Sequence, residues 1–92
     1  MIPRYTRRAA RDLDRILSYI AKRSPGGAGQ VASSLENSIR FLADNPHGGL
    51  KTSDPALLVK ILPDYPYKIF YRPRGDFIEI VHIRHAARRP YV

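Results

Sequence analysis

The residues with most scope for chemistry gather near the C-terminal end. Between Tyr67 and Arg89 the chain carries Lys68, Arg72, Arg74, Arg84, Arg88 and Arg89, with His82 and His85, against only Asp76 and Glu79. Cations at this density suit phosphate or carboxylate partners. They do not suggest a metal centre, because His47, His82 and His85 are far apart, the carboxylates are scattered and there is no cysteine. Asp12 and Asp14 are two residues apart on a helix and diverge, so they form no acid/base pair. Gly26, Gly27 and Gly29 form no phosphate loop, since no strand precedes them and no Gly-Lys-Ser/Thr follows. These residues themselves predict no metal, no cofactor and no catalytic pair.

Two antiparallel strands must position these cations. Tyr67–Arg72 and Phe77–Ile83 are rich in β-branched and aromatic residues, and Pro73-Arg74-Gly75-Asp76 between them has turn chemistry. With Arg72 opposite Phe77, Tyr71 faces Ile78, Ile69 faces Ile80 and Tyr67 faces His82. Side chains alternate with period two, so Tyr67, Ile69, Tyr71, Ile78 and Ile80 form a core face, with His82 as a structural histidine there. The opposite face carries Lys68, Phe70, Arg72, Phe77, Glu79, Val81 and Ile83. That mixed face is expected to carry the function.

Earlier in the chain, Ile2–Tyr5 reads as a short strand that Pro3 confines to a sheet edge or a strand start. Thr6 is suited to cap the helix that follows. Leu13, Ile16, Leu17 and Ile20 form its apolar stripe, while Arg8, Arg11, Arg15 and Lys22 fall on the other side and read as a solvated face. Ser24-Pro25 starts a second helix that its glycines delay to about Ala28. Val31, Leu35, Ile39 and Leu42 give that helix an apolar stripe, and Asn45-Pro46 ends it. So short a link makes the pair an antiparallel hairpin. His47–Ala56 is a polar connection, with His47 a solvated turn residue, and Leu57–Leu62 is a buried strand. Helices then strands argue an α+β domain: a two-helix hairpin on one face of a three- to four-stranded antiparallel sheet, spanning residues 1–92.

Sixteen Lys and Arg oppose eight Asp and Glu, for a net charge of +8. The excess sits in residues 1–23, with seven basic and two acidic groups, and in residues 68–89, with six and two. Such charge favours fast, salt-sensitive association with a polyanion or an acidic protein. No apolar run approaches the roughly 20 residues that span a bilayer, and the N-terminus lacks a signal core, so the expected compartment is the cytoplasm.

Four stretches together resemble the RelE/ParE toxin superfamily. They are Thr6-x-x-Ala9-x-x-Asp12-Leu13-x-x-Ile16-x-x-Tyr19-Ile20, then Asn45-Pro46, then Tyr67-Lys68-Ile69-Phe70-Tyr71-Arg72, and Ile78-Glu79-Ile80-x-x-Ile83-Arg84-His85-Ala86-Ala87-Arg88. The resemblance is closest to the ParE branch, the plasmid-stabilisation type. It implies the toxin of a type II toxin–antitoxin system that inhibits DNA gyrase and replication without catalysis. It also implies neutralisation by a ParD-like antitoxin through an acidic, amphipathic C-terminal segment. Lys68, Phe70, Arg72, Phe77, Val81 and Ile83 are the expected antitoxin contacts, and Arg84, His85, Arg88 and Arg89 the expected target contacts. The RelE branch implies instead a ribosome-dependent messenger RNA endonuclease, which would use Lys68, Arg72 and Arg88. Against that branch, Lys68 replaces an arginine, and Tyr91 follows Arg88 more closely than the nuclease pattern places its tyrosine. A third reading is a non-toxic basic module that binds nucleic acid or protein.

Overall fold

The computed structural model describes residues 1–86. In chain order these form β1 (Ile2–Tyr5), α1 (Arg7–Arg23), α2 (Pro25–Asp44), β2 (Leu50–Lys51), β3 (Leu58–Ile61), β4 (Tyr67–Arg74) and β5 (Phe77–His85). The sheet order is β1-β5-β4-β3-β2, and the two helices pack on one face. This is the expected α+β architecture, with more strands than anticipated. β2 arises within the 47–56 connection, and β1 pairs with β5 in parallel, which makes the sheet mixed.

The helix boundaries follow local chemistry. Thr6 Oγ1 accepts from Ala9 N at 3.0 Å and caps α1. Ser24 Oγ accepts from Gly27 N at 3.1 Å, with Pro25 in the first turn of α2. The second helix therefore begins at Pro25, ahead of the glycines expected to delay it. Asn45 N closes its last turn on Phe41 O at 2.8 Å. Val31, Leu35, Ile39 and Leu42 pack with Tyr67, Ile69, Tyr71, Ile78 and Ile80 in one core, with Leu13, Ile16, Leu17 and Ile20 against it.

The β4–β5 hairpin departs from the expected register twice. Its turn is only Gly75-Asp76: Pro73 and Arg74 belong to β4 and face Ile78 and Phe77. Gly75, at φ 59°, supplies the positive φ that a two-residue hairpin turn requires at its first position. Pro73 is tolerated because β3 ends its pairing at Tyr71, so among the described residues β4 has no neighbour on that side beyond it. Further along, Tyr71 faces Ile80 but Phe70 faces His82, leaving Val81 as the extra residue of a β-bulge.

One added residue exchanges the faces of everything after it. Ile83, expected on the outer face, faces Ile69 and is only 3% exposed in the core. His82, expected opposite Tyr67 on the core face, lies opposite Phe70 and stacks on its ring at 4.3 Å. Tyr67 instead faces His85, edge to face at 5.3 Å.

Candidate protein-docking face and basic cleft

The sheet face away from the helices is built of four rows crossing the strands. From the hairpin turn outward the first is Arg74, Phe77 and Ile2, and the second is Arg72, Glu79 and Arg4. The third is Leu50, Val59, Phe70 and His82, and the fourth is Ile61, Lys68 and Arg84. The alternation of each strand places these side chains together, because their sequence neighbours Leu58, Ile69, Tyr71, Ile78, Ile80 and Ile83 fill the core side.

The face joins cations to uncovered apolar groups. Glu79 Oε1 accepts from Arg72 Nε at 2.7 Å and lies 3.8 Å from Arg74 Nη1, so its carboxylate is already committed to these guanidinium groups. The Arg4 guanidinium lies 4.6 Å over the Phe77 ring. Lys68 and Arg84 are cross-strand partners, two like charges set side by side. Around them Ile2, Leu50 and Ile61 are 66%, 61% and 46% exposed. A small monomer gains nothing from leaving these apolar groups in water; a partner that covered them would. Lys68, Phe70, Arg72, Phe77 and Val81 are all half-buried on or beside this face. Ile83 is not available to it.

The expected target contacts divide. Arg84 shares a row with Lys68 and His85 packs edge to face on Tyr67, both also lining the concavity beside α1, and Arg88 and Arg89 lie outside the described residues. For the endonuclease set, Lys68 and Arg72 share a face four residues apart, Arg72 being engaged by Glu79, and Arg88 again lies outside. His82 is 7% exposed. Burial pushes its pKa down to about 4, helped by Arg8 and Arg84 and opposed by Asp12, so the imidazole is neutral near pH 7.

A second concavity lies between α1 and the end of β5, with a volume of about 1240 Å³. Arg8, Arg15, Lys22 and Arg23 line its helix side, and Ile83 and Arg84 its strand side. Asp12 closes its floor by accepting a hydrogen bond from Ile83 N at 3.1 Å. Arg8, Arg11, Arg15 and Lys22 are exposed, as a solvated basic side requires, but that reading did not foresee the concavity that three of them line. The available signal was the seven-residue spacing of Arg8, Arg15 and Lys22, which aligns them along one side of a helix.

The wider likeness of the chain agrees with this architecture. Residues 4–90 match the family model described as the ParE toxin of the type II toxin–antitoxin system parDE. The Sinorhizobium fredii protein Y4kP, whose name classes it as a toxin, is 36% identical over 83 residues, 90% of this chain and 85% of its own. The toxin RelE2 of Caulobacter vibrioides is 36% identical over 84 residues, covering 91% of this chain and 93% of that one. Among solved structures, a chain of the chromosomal ParDE toxin–antitoxin system from P. aeruginosa superposes with a TM-score of 0.80 at 25% identity, over 92% of this chain and 95% of that one. The protein is thus a member of the ParE toxin family of type II toxin–antitoxin systems.

Proposed function

We propose that this toxin inhibits DNA gyrase and is held inactive by a ParD-like antitoxin, whose acidic, amphipathic C-terminal segment lies on the open sheet face. The observation that carries the docking reading is the pairing of exposed Ile2, Leu50 and Ile61 with Arg4, Lys68, Arg72 and Arg84 on one surface. Apolar side chains of the segment would cover the first group and its carboxylates would meet the second. Lys68, Phe70, Arg72, Phe77 and Val81 supply the central contacts. The gyrase reading is supported by membership of the ParE family and by a basic C-terminal end, with Arg84, His85, Arg88 and Arg89 as the contact set.

The purified toxin should stop gyrase from supercoiling relaxed plasmid or trap cleaved DNA, and adding the antitoxin should restore supercoiling. Unimpaired gyrase, in cells where the toxin halts translation and creates new message ends, would replace this reading with the endonuclease one.

A further inference from the structure

We propose that the cleft between α1 and the end of β5 binds single-stranded nucleic acid along its phosphodiester backbone. The inference does not depend on gyrase or the antitoxin; the cleft adjoins the sheet face at Arg84 and is also lined by His85.

Charge is the first support. Arg8, Arg15 and Lys22 line the cleft at seven-residue intervals, which places them roughly 10.5 Å apart along the helix. Among the described residues neither Arg15 nor Lys22 takes part in an ion pair. Arg23 and Arg84 add two more cations to the walls. Of the two acids there, Asp12 has one oxygen committed to Ile83 N. An anionic chain laid along this side of α1 would meet a cation at every second turn of the helix.

Aromatic exposure is the second support. Tyr19 lies among these cations and is 57% exposed, with the Arg23 guanidinium 4.0 Å over its ring. A positive groove with an accessible aromatic ring is the arrangement by which single strands are held without sequence preference, the backbone on the cations and a base on the ring.

An acidic amphipathic peptide fits this cleft less well. Ile83 is 3% and Tyr67 8% exposed, so Tyr19 and the half-buried Ile16 are the main apolar groups a peptide could cover there. The uncovered apolar groups Ile2, Leu50 and Ile61 are on the sheet face instead. The uncovered aliphatic groups thus lie on the sheet face and the row of helix cations in the cleft, the two meeting at Arg84.

Fluorescence anisotropy of labelled oligothymidylate, titrated with the full chain over a series of salt concentrations, tests the proposal. The double variant Arg15→Gln/Lys22→Gln should bind roughly tenfold more weakly at low salt, with a log–log salt slope shallower by about 1.4. Tyr19→Ala should weaken binding several-fold without changing that slope. Lys51→Gln/Lys60→Gln, an equal loss of charge away from the cleft, should bind like the parent. Circular dichroism would confirm that each variant is folded. Absence of binding at low salt, an equal loss in the Lys51/Lys60 variant, or tighter binding of a duplex than of the strand would overturn the proposal. So would polyglutamate binding more tightly than the strand through Arg15 and Lys22, which would make the cleft an acidic-protein site.

Discussion

Asp12 Oδ2 accepts a hydrogen bond from the backbone N–H of Ile83, 71 residues further along the chain, at 3.1 Å. Close by, Thr6 Oγ1 donates to Val81 O at 2.6 Å while accepting from Ala9 N. Both contacts fall where β5 has passed the end of β1, whose last partner is Ile80. Polar groups on the outer edge of β5 would otherwise lack a ladder there, and the bulge at Val81 increases that need. The first turns of α1 serve as a side-chain substitute for the missing strand.

Removing that substitute should be costly. Asp12→Ala leaves a part-buried N–H without its acceptor and is expected to destabilise the fold by about 1–3 kcal/mol in denaturant unfolding. Asp12→Asn keeps an acceptor oxygen and should lose clearly less. Equal losses for the two would show that the carboxylate's role is not this hydrogen bond.

Tyr71 has a similar role at the other end of the sheet. Its hydroxyl accepts from Gly49 N at 2.8 Å and donates to Pro46 O at 3.1 Å, tying the α2–β2 connection to the core. A Cβ on Gly49 would stand 2.5 Å from that oxygen and 2.9 Å from Val59 O. Tyr71→Phe should cost about 1–3 kcal/mol by leaving buried polar groups unmatched. Gly49→Ala should displace the ring or the connection, and the double variant should cost less than the two single changes together. Additive losses in thermal unfolding would argue that the residues act separately.

Those two anchors also explain what could and could not be read from residue order. Caps, apolar stripes and strand composition are local signals, so Thr6, Ser24-Pro25 and Asn45 marked both helices correctly. The bulge is not local: the groups that satisfy it are Thr6 and Asp12, which nothing near Val81 announces. A register drawn from the turn alone therefore placed Ile83 on the open face and His82 opposite Tyr67 instead of Phe70. The turn misled for a second reason. Pro73 read as a loop residue, and only the early end of β3 makes it acceptable in a strand. On the open face Lys68, Phe70, Arg72 and Phe77 were placed correctly because none lies beyond the bulge in β5. The cleft was missed because its far wall comes from the end of β5, and helix periodicity describes one wall only.

His82 should make stability depend on pH. Its folded pKa is pushed below the unfolded value, from 6.5 to about 4, chiefly by burial. Between these values the unfolded chain binds the proton more readily, so stability falls as pH drops through that window and levels off below it. The contribution lost is about 3 kcal/mol at most. Unfolding free energies measured between pH 7 and pH 4 should show this slope, and His82→Gln should flatten it. A parent and variant with the same pH dependence would remove His82 as the source.

The opposed pair Lys68 and Arg84 permits a test that separates binding from folding. Like charges directly across an antiparallel pair are unfavourable, and Lys68→Glu converts the repulsion into an attraction. The variant should be as stable as the parent or gain about 0.2–1 kcal/mol. If the open face receives the acidic segment of an antitoxin, the same change sets a carboxylate against carboxylates and should weaken the complex by roughly tenfold or more, mainly through faster dissociation. Calorimetric titration with the antitoxin, beside denaturant unfolding of the free toxin, gives both quantities. A gain in stability with a loss of affinity would mean that the cation is kept for its partner. Unchanged affinity would move the antitoxin off this face.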